Sequence, residues 1–469
     1  MLILQNKVIN NNYCIGCGAC AISQEAAYSI ITDKNGCYQA QKKPSAISDE
    51  IEASVCPFNN NKDENALSRE LFEHNNKWDP KIGYYHQIFA GQVNEGDFFS
   101  NGSSGGSAKW LLSKLLEEGY VDKVIQVYNN SNNPDKLFEY RVTDDVSEVK
   151  QGSKSVYYPV EMSKVLDYIR QNPGRYAITG VPCFIKSIRL LQDSDPVFKE
   201  RIKYCMGIFC GHLKSKFYAE MIGWQLGVEP NNLTHIDFRV KIQGQKANEK
   251  GVRAKSIDGY TSKPKIVQEV FGTNYGQGFF KYPACDYCDD VIAETADISF
   301  GDAWLPEYLE KGTSMVVSRN PELSQIIKAG IANGKIDFKE ETAEQVYKSQ
   351  EGGYRHRREG LTYRLLEKRK KGAWVPKKRT FEVEITKQRR KIYKQRMKLS
   401  AKSFSAFIQA KSQGDFNFFR HQMENEVHRY LALYRIKTRK ERLIQLLTYL
   451  GLINLTIKTK RIITQNLRR

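Results

Sequence analysis

Cys14, Cys17 and Cys20 form a C-x2-C-x2-C run within Tyr13-Cys14-Ile15-Gly16-Cys17-Gly18-Ala19-Cys20, and no other feature narrows the fold so far. Three thiolates at that spacing wrap one corner of an iron–sulfur cubane, and the glycines let backbone amides approach the sulfides. In bacterial two-cluster proteins the run continues with x3-C-P, whose cysteine serves the other cluster. Here that position is Gln24, so no second local cluster is expected. The remaining ligand must come from a distance, and Cys56-Pro57 fits. Zinc is the rival, since four cysteines also suit it, but zinc sites usually pair two C-x2-C hairpins and do not use a triple run. Cys37, after Asn35-Gly36, reads as a small turn-adjacent residue outside the set.

The chain has 469 residues, of which 41% are hydrophobic, enough for two to four domains of roughly 150 residues. Met1 to Ile9 is too short and too mixed for a signal peptide. A cytoplasmic location is therefore expected, where disulfides are rare and clustered cysteines read as metal or redox ligands. The net charge of +19 is uneven: from Tyr354 onward 32 Lys and Arg face 8 Asp and Glu, whereas the rest has 40 against 45. A slightly acidic body thus carries a strongly basic, mainly helical tail. Four regions emerge: 1–75 with the first cysteine run, 80–200, 201–350 and 354–469. Between 80 and 350 strands alternate with helices, which favours an α/β sheet. The helix from Gly106 places Ala108, Leu111, Leu112, Leu115 and Leu116 on one face and stops at Gly119, and Val121 to Tyr128 reads as a strand.

A second cysteine set is dispersed. Arg175 to Thr179 is strand-like and leads into Gly180-Val181-Pro182-Cys183, after which Phe184 to Leu191 reads as a helix. Lys203 to Cys210 is another apolar run. Cys183 and Cys210 thus lie at strand ends, where open α/β sheets place their chemistry. Cys285 and Cys288 form a C-x2-C. Singly, each has an ordinary reading, as core cysteine or redox pair; together they suggest a second cluster. Strand alternation puts Cys205 on the face opposite Cys210 and makes it core.

Asn101-Gly102-Ser103-Ser104-Gly105-Gly106-Ser107 precedes the amphipathic helix and could cradle an anion on the helix-start amides. A Ser/Gly linker capping a helix looks the same. Gly152-Ser153-Lys154, with Tyr157-Tyr158 beyond, offers a lysine and an aromatic pair after a turn; a surface loop is its plain reading.

In this order, these segments resemble the coenzyme F420 hydrogenase/dehydrogenase beta-subunit family, from about Tyr13 to Gln350. Ser103-Ser104-Gly105-Gly106 is similar to that family's FAD-binding S-S-G-G stretch, and Gly152-Ser153-Lys154 to a second stretch near the flavin. Cys183, Cys210, Cys285 and Cys288 match its cluster cysteines, and Ala296-Asp297-Ile298-Ser299-Phe300-Gly301-Asp302-Ala303-Trp304 its A-D-I-S-x-G-D-x-W segment. The resemblance implies an α/β (α+β) flavoprotein body with an N-terminal ferredoxin-like 4Fe-4S module. It implies two 4Fe-4S clusters and FAD, passing electrons from a reduced donor such as ferredoxin or a deazaflavin to an unidentified substrate. Members with such an N-terminal module include relatives of hydroxymethyl chlorophyll reductase and proteins encoded with polysaccharide-synthesis genes. That module and the long tail depart from the hydrogenase subunit and argue against coenzyme F420 as cosubstrate. His212 and Asp302 are the candidate proton donors. The alternatives are a non-catalytic electron-transfer subunit and a membrane-docked partner of a biosynthetic complex.

The tail is dense in cations over Arg355 to Lys378, Lys387 to Lys398 and Arg435 to Arg442, and the last precedes the apolar Leu443 to Ile453. Solvated basic helices are one reading. Peripheral attachment of residues 354–469 to an anionic membrane surface, at its inner face, is another. Nucleic-acid binding ranks last, because no motif supports it.

Overall fold

The computed structural model describes residues 2–59, 62–130, 133, 135–246, 248–310, 312–379 and 383–435. Its centre is an eight-stranded sheet of β1 (Gln87–Val93), β2 (Lys123–Asn129), β3 (Phe138–Thr143), β4 (Tyr176–Gly180), β5 (Ile202–Ile208), β6 (Ile298–Asp302), β7 (Ser314–Ser318) and β8 (Ile336–Glu340). The spatial order is β8-β1-β7-β6-β5-β4-β2-β3. The four central strands, β6, β5, β4 and β2, run parallel, and antiparallel pairs complete both sides. Parallel strands are covered on both faces, which is why Val124, Ile125, Ala177, Ile178, Cys205, Met206 and Ile298 are all buried. Because the central strands point the same way, Asn129, Gly180, Ile208 and Asp302 end at one edge of the sheet. That edge positions the site.

The expected helix after the glycines spans Ser107–Glu117, with Gly106 as its left-handed N-cap at φ 84° and Trp110, Leu111, Leu112 and Leu115 inward. Pro182 opens the helix Pro182–Ser194, which leaves β4 directly and so holds Cys183 in its first turn; proline suits that position because its missing N–H has no helical partner there. A smaller antiparallel sheet, Leu233–Val240, Gly251–Ser256 and Lys265–Ile266, flanks the site.

Residues 1–75 carry one hairpin, Tyr28–Thr32 against Tyr38–Lys42, and short helices. They dock on the body through backbone: Met162 N–H donates to the Cys17 carbonyl at 2.8 Å and Lys216 N–H to that of Gly36 at 2.9 Å. The Tyr38 N–H donates to the Tyr282 hydroxyl at 2.7 Å. Tyr13 and Tyr28 share one core with Met162, Leu166 and Ile188.

The basic tail, read from charge as a solvated region, is instead largely built into the body. Helices Lys387–Gln413 and Phe416–Arg435 turn back on each other at Gly414, whose φ is 63°. Phe404, Phe407 and Phe419 are buried against Phe217 and Phe280, with ring centroids 5.2–6.4 Å apart. Each buried phenyl contributes roughly 1.5–3 kcal/mol, far more than exposed charges on the opposite face oppose. Upstream, Arg357 and Arg364 are 2% and 1% exposed. The apolar stretch Leu443 to Ile453 and the basic stretch beyond Arg435 lie outside the described residues, so the membrane reading falls there. Among the described residues no helix is long and apolar enough to cross a membrane.

Candidate functional site

Cys14, Cys17, Cys20 and Cys56 line one small cavity with Tyr13 and Phe58. Positive φ at Gly16 and Gly18, 63° and 88°, bends the run around it. No side chain could replace either glycine: a Cβ on Gly16 would sit 2.3 Å from the Tyr38 carbonyl oxygen, and one on Gly18 would sit 2.7 Å from the Ser163 nitrogen. The N–H groups of Gly16 and Ala40 point at the Cys14 sulfur, at 3.4 and 3.3 Å. Burial pushes the Cys20 thiol up, and the neighbouring Cys17, Cys14 and Cys56 add to this, so all four sense one another. Burial likewise raises Cys17 to about 11 and Cys56 to about 12. Such thiols are inert nucleophiles, and a bound cation is what would bring them to thiolate.

The dispersed cysteines converge as well. Cys183 starts its helix; Cys210 follows β5 by two residues; Cys285 lies in the 3-10 turn Pro283–Tyr287, which Cys288 follows. Burial raises Cys183, with further contributions from Cys288, Cys210, Cys285 and then Cys17; Cys17 and Cys288 share one buried cluster, and Cys14, Cys20, Cys56 and Cys183 pack against it. The Leu213 N–H points at the Cys285 sulfur at 3.2 Å. Cys205 is fully buried in the core, as expected. Cys37 is buried too, and senses both Cys285 and Cys14. Among the described residues no three His, Cys, Asp or Glu side chains crowd closely enough to grip a single metal ion. Both sets, with only sulfur donors and backbone amides aimed at them, fit a cubane.

The Ser/Gly stretch and the Gly-Ser-Lys stretch meet. The Ser155 N–H donates to the Ser103 hydroxyl at 2.7 Å, and Gly105 is pressed between β1 and β7. Lysines gather here: burial, with Lys154 at Lys109 and with Lys250 and Lys154 at Lys241, lowers both to about 8. Lys241 donates to the carbonyls of Phe99 and Ser104. A cavity of about 360 Å³ opens beside it, lined by the cations Lys241, Lys246 and Lys250 and the acids Glu249 and Glu310, of which Glu310 pairs with Lys246 at 2.9 Å. The Ser107 and Ser153 hydroxyls are buried without partners among the described residues. Tight glycines, orphaned hydroxyls and lysines fit a phosphate-bearing cofactor. Lys154 itself is engaged by Asp237 at 3.0 Å.

The two candidate proton donors sit in different surroundings. Asp302 grips Arg239 with both oxygens, at 2.8 and 3.0 Å, which commits it as an acceptor. His212 is buried and packs at a tilt of 34° on Tyr275, with ring centroids 4.2 Å apart. Burial, reinforced by Lys214 and Lys281, pushes it well below its ordinary value, so it is neutral near pH 7. Tyr275 touches Tyr157, to which Arg239 donates at 3.4 Å, so the aromatic group links the two places.

Sequence reasoning missed the cations that surround the second set. Arg364 donates to the Asp286 carbonyl at 2.6 Å. Lys378 reaches Glu64 and Asp289 at 3.5 and 3.4 Å, and Arg379 reaches Asp289 and Glu294 at 3.0 and 2.7 Å. The signal was the acid-rich Cys285-Asp286-Tyr287-Cys288-Asp289-Asp290: buried carboxylates need partners, and the cation-rich tail supplies several, beside Lys186 and Lys281 of the body.

A mixed α/β sheet with cysteines gathered at its carboxyl edge is the architecture here. The N-terminal model of the coenzyme F420 hydrogenase/dehydrogenase beta subunit matches residues 88–167, and the C-terminal model matches residues 174–344. The chain belongs to that family, which is one of oxidoreductase subunits. An uncharacterized protein of Methanocaldococcus jannaschii is 27% identical over 240 residues, 50% of this chain and 81% of the relative. The coenzyme F420 hydrogenase subunit beta of Methanothermobacter thermautotrophicus is 25% identical over 275 residues, covering 55% and 85%. A chain of the F420-reducing NiFe hydrogenase complex from Methanosarcina barkeri superposes with a TM-score of 0.48 at 18% identity, covering 66% of this chain and 100% of that one.

Proposed function

We propose that the protein is an iron–sulfur flavoprotein oxidoreductase. Cys14, Cys17, Cys20 and Cys56 would hold one 4Fe-4S cluster, and Cys183, Cys210, Cys285 and Cys288 a second. Ser103, Ser104, Gly105, Gly106, Gly152, Ser153 and Lys154 would hold FAD, with Lys241 beside its phosphates. Bound there, clusters supply one-electron transfer and the flavin the two-electron store that hydride exchange needs. The observation that carries this reading is the convergence of Cys183, Cys210 and Cys285/Cys288, from three distant segments, on a place adjoining Cys17.

The chain's own residues divide the work. The N-terminal thiols are partly exposed at Cys14, Cys20 and Cys56, which suits the side that meets a reduced donor such as ferredoxin. The second set is covered by Arg357 and the Lys378–Arg379 pair, which exclude water. Tyr157 packs against both Tyr218 and Tyr275, and these rings would wall the flavin ring. His212, held neutral by burial, would offer a hydrogen bond to a group bound there, while Asp302 holds Arg239 in place.

Anaerobic purification with iron, sulfide and flavin analysis tests the reading: two clusters and one FAD per chain are expected. Stoichiometric zinc without flavin would sink it. Mixing the protein with reduced ferredoxin or reduced coenzyme F420, and following flavin bleaching, identifies the donor. A second reading, an electron-transfer subunit that docks on another enzyme, is favoured by the relatives named as hydrogenase subunits; it predicts flavin reduction without turnover of any small substrate by the chain alone.

A further inference from the structure

We propose that Arg357, from the segment beyond the matched family regions, sets the reduction potential of a cluster held by Cys183, Cys210, Cys285 and Cys288. The inference rests on the reading of that thiol set as a 4Fe-4S site.

Arg357 closes the helix Glu351–Arg357 and is 2% exposed. Its Nη2 donates to the carbonyls of Cys210 and Gly211, at 2.8 and 2.9 Å. Those two bonds fix the guanidinium over the loop that carries Cys210. Its Nε and Nη1 groups are buried and have no partner among the described residues. A guanidinium cannot shed its charge, and a buried, uncompensated cation is not tolerated without an anion. Its neighbours include the sulfur groups of Cys288, Cys210 and Cys285 as well as Asp290, and those sulfurs become anionic only as cluster ligands.

Lys378, another cation near this set, differs. It also lowers Cys288, but its charge is already matched by Glu64 and Asp289. Arg357 has no carboxylate within ion-pair distance among the described residues, and its carbonyl bonds hold it against the Cys210 loop. Cluster potentials follow net charge and hydrogen bonds to the sulfurs. A cluster with four thiolates is anionic and gains a further negative charge on reduction, so a fixed cation beside it favours the reduced form and raises its potential. Arg357 is thus a positioning and tuning residue, not a ligand.

The test uses full-length holoprotein with R357K, R357Q and R357M, titrated anaerobically with dithionite in the presence of mediators and read by electron paramagnetic resonance. R357Q and R357M are expected to lower the reduced-to-oxidised ratio of the second cluster at least tenfold at fixed potential, a fall of 59 mV for one electron. R357K should keep most of the wild-type potential, and the N-terminal cluster should not move in any variant. Unchanged potentials in R357Q and R357M would overturn the inference, as would an R357K potential as low as that of R357M. Loss of the second cluster from all three variants, with the first retained, would also overturn it by making Arg357 a packing residue. A wild-type protein that lacks the second cluster fails the proposed function instead, and that result is read before any variant is made.

Discussion

Gly105→Ala is a demanding test of the glycine cradle. A Cβ at this position would lie 2.4 Å from the Gly91 carbonyl oxygen and 2.8 Å from the Ser314 nitrogen, where ordinary contact begins near 3.4 Å. Both obstacles are strand backbone, from β1 and β7, so the loop must move by about an ångström, because packed strands yield little. Overpacking of this kind costs about 1–3 kcal/mol. The move also strains two hydrogen bonds of Gly105, from its N–H to the Ser314 hydroxyl at 3.0 Å and from the Val93 N–H to its carbonyl at 2.8 Å. At about 1 kcal/mol each, the total destabilisation is about 3–5 kcal/mol. The assay is the thermal unfolding midpoint together with flavin released per chain. Gly105→Ala should lower both, and added FAD should restore neither fully. Gly119→Ala is the control: its φ is 71° and nothing lies within 4 Å of the new Cβ. It should cost about 1–2 kcal/mol of left-handed strain and leave flavin content alone. A Gly105→Ala protein with wild-type melting and flavin would refute the reasoning, as would equal flavin loss in the control.

Three further outcomes are expected. Serine at Cys20 or Cys285 should each remove about half of the iron, whereas serine at Cys37 or Cys205 should leave the iron content unchanged; iron and sulfide analysis separates the cases. Arg379→Met strips Glu294, 1% exposed at its side chain, of its paired cation, and breaking a buried pair costs about 3–5 kcal/mol, visible as a lowered urea midpoint. Lys241 gives a pH signature. Burial, then Lys250 and Lys154, lowers it to about 8, so the folded apoprotein binds fewer protons than the unfolded chain between about 8 and 10.4. The stability difference between wild type and K241M should therefore shift in favour of wild type as pH rises through that window. Affinity for inorganic phosphate should weaken over the same rise, and a flat difference on both counts would count against a cationic cradle.

Periodicity and strand-end logic made much of the body legible. The helix after Gly106, the strand into Cys183 and the core position of Cys205 follow from local rules that the sheet then reinforces. Two cysteine sets could be grouped because thiols are rare and their chemistry is narrow. The tail was not legible in the same way. Charge density does not say whether a cation faces water or a buried acid, and Lys378 and Arg379 look the same in sequence as exposed lysines do. Their partners, Glu64, Asp289 and Glu294, are far away in the chain. Phe404, Phe407 and Phe419 were present as an apolar pattern, but the rings that they cover, on Phe217 and Phe280, belong to another region. Asp302 shows the same limit, since its commitment to Arg239 depends on a neighbouring sheet that no local pattern announces.

The order in which the chain is made gives the closing segment a further meaning. Domains fold largely as synthesis proceeds from the N-terminus, and Cys288 leaves the ribosome well before Arg357, Arg364, Lys378 and Arg379. Until those residues arrive, Asp286 has Lys281 but not Arg364, Asp289 lacks Lys378 and Arg379, and the thiols lack their cover. Metal delivery to the second set is then a matter of timing: an early supply meets an open, acid-rich bowl, and a late one meets a buried ion network that has to be reopened.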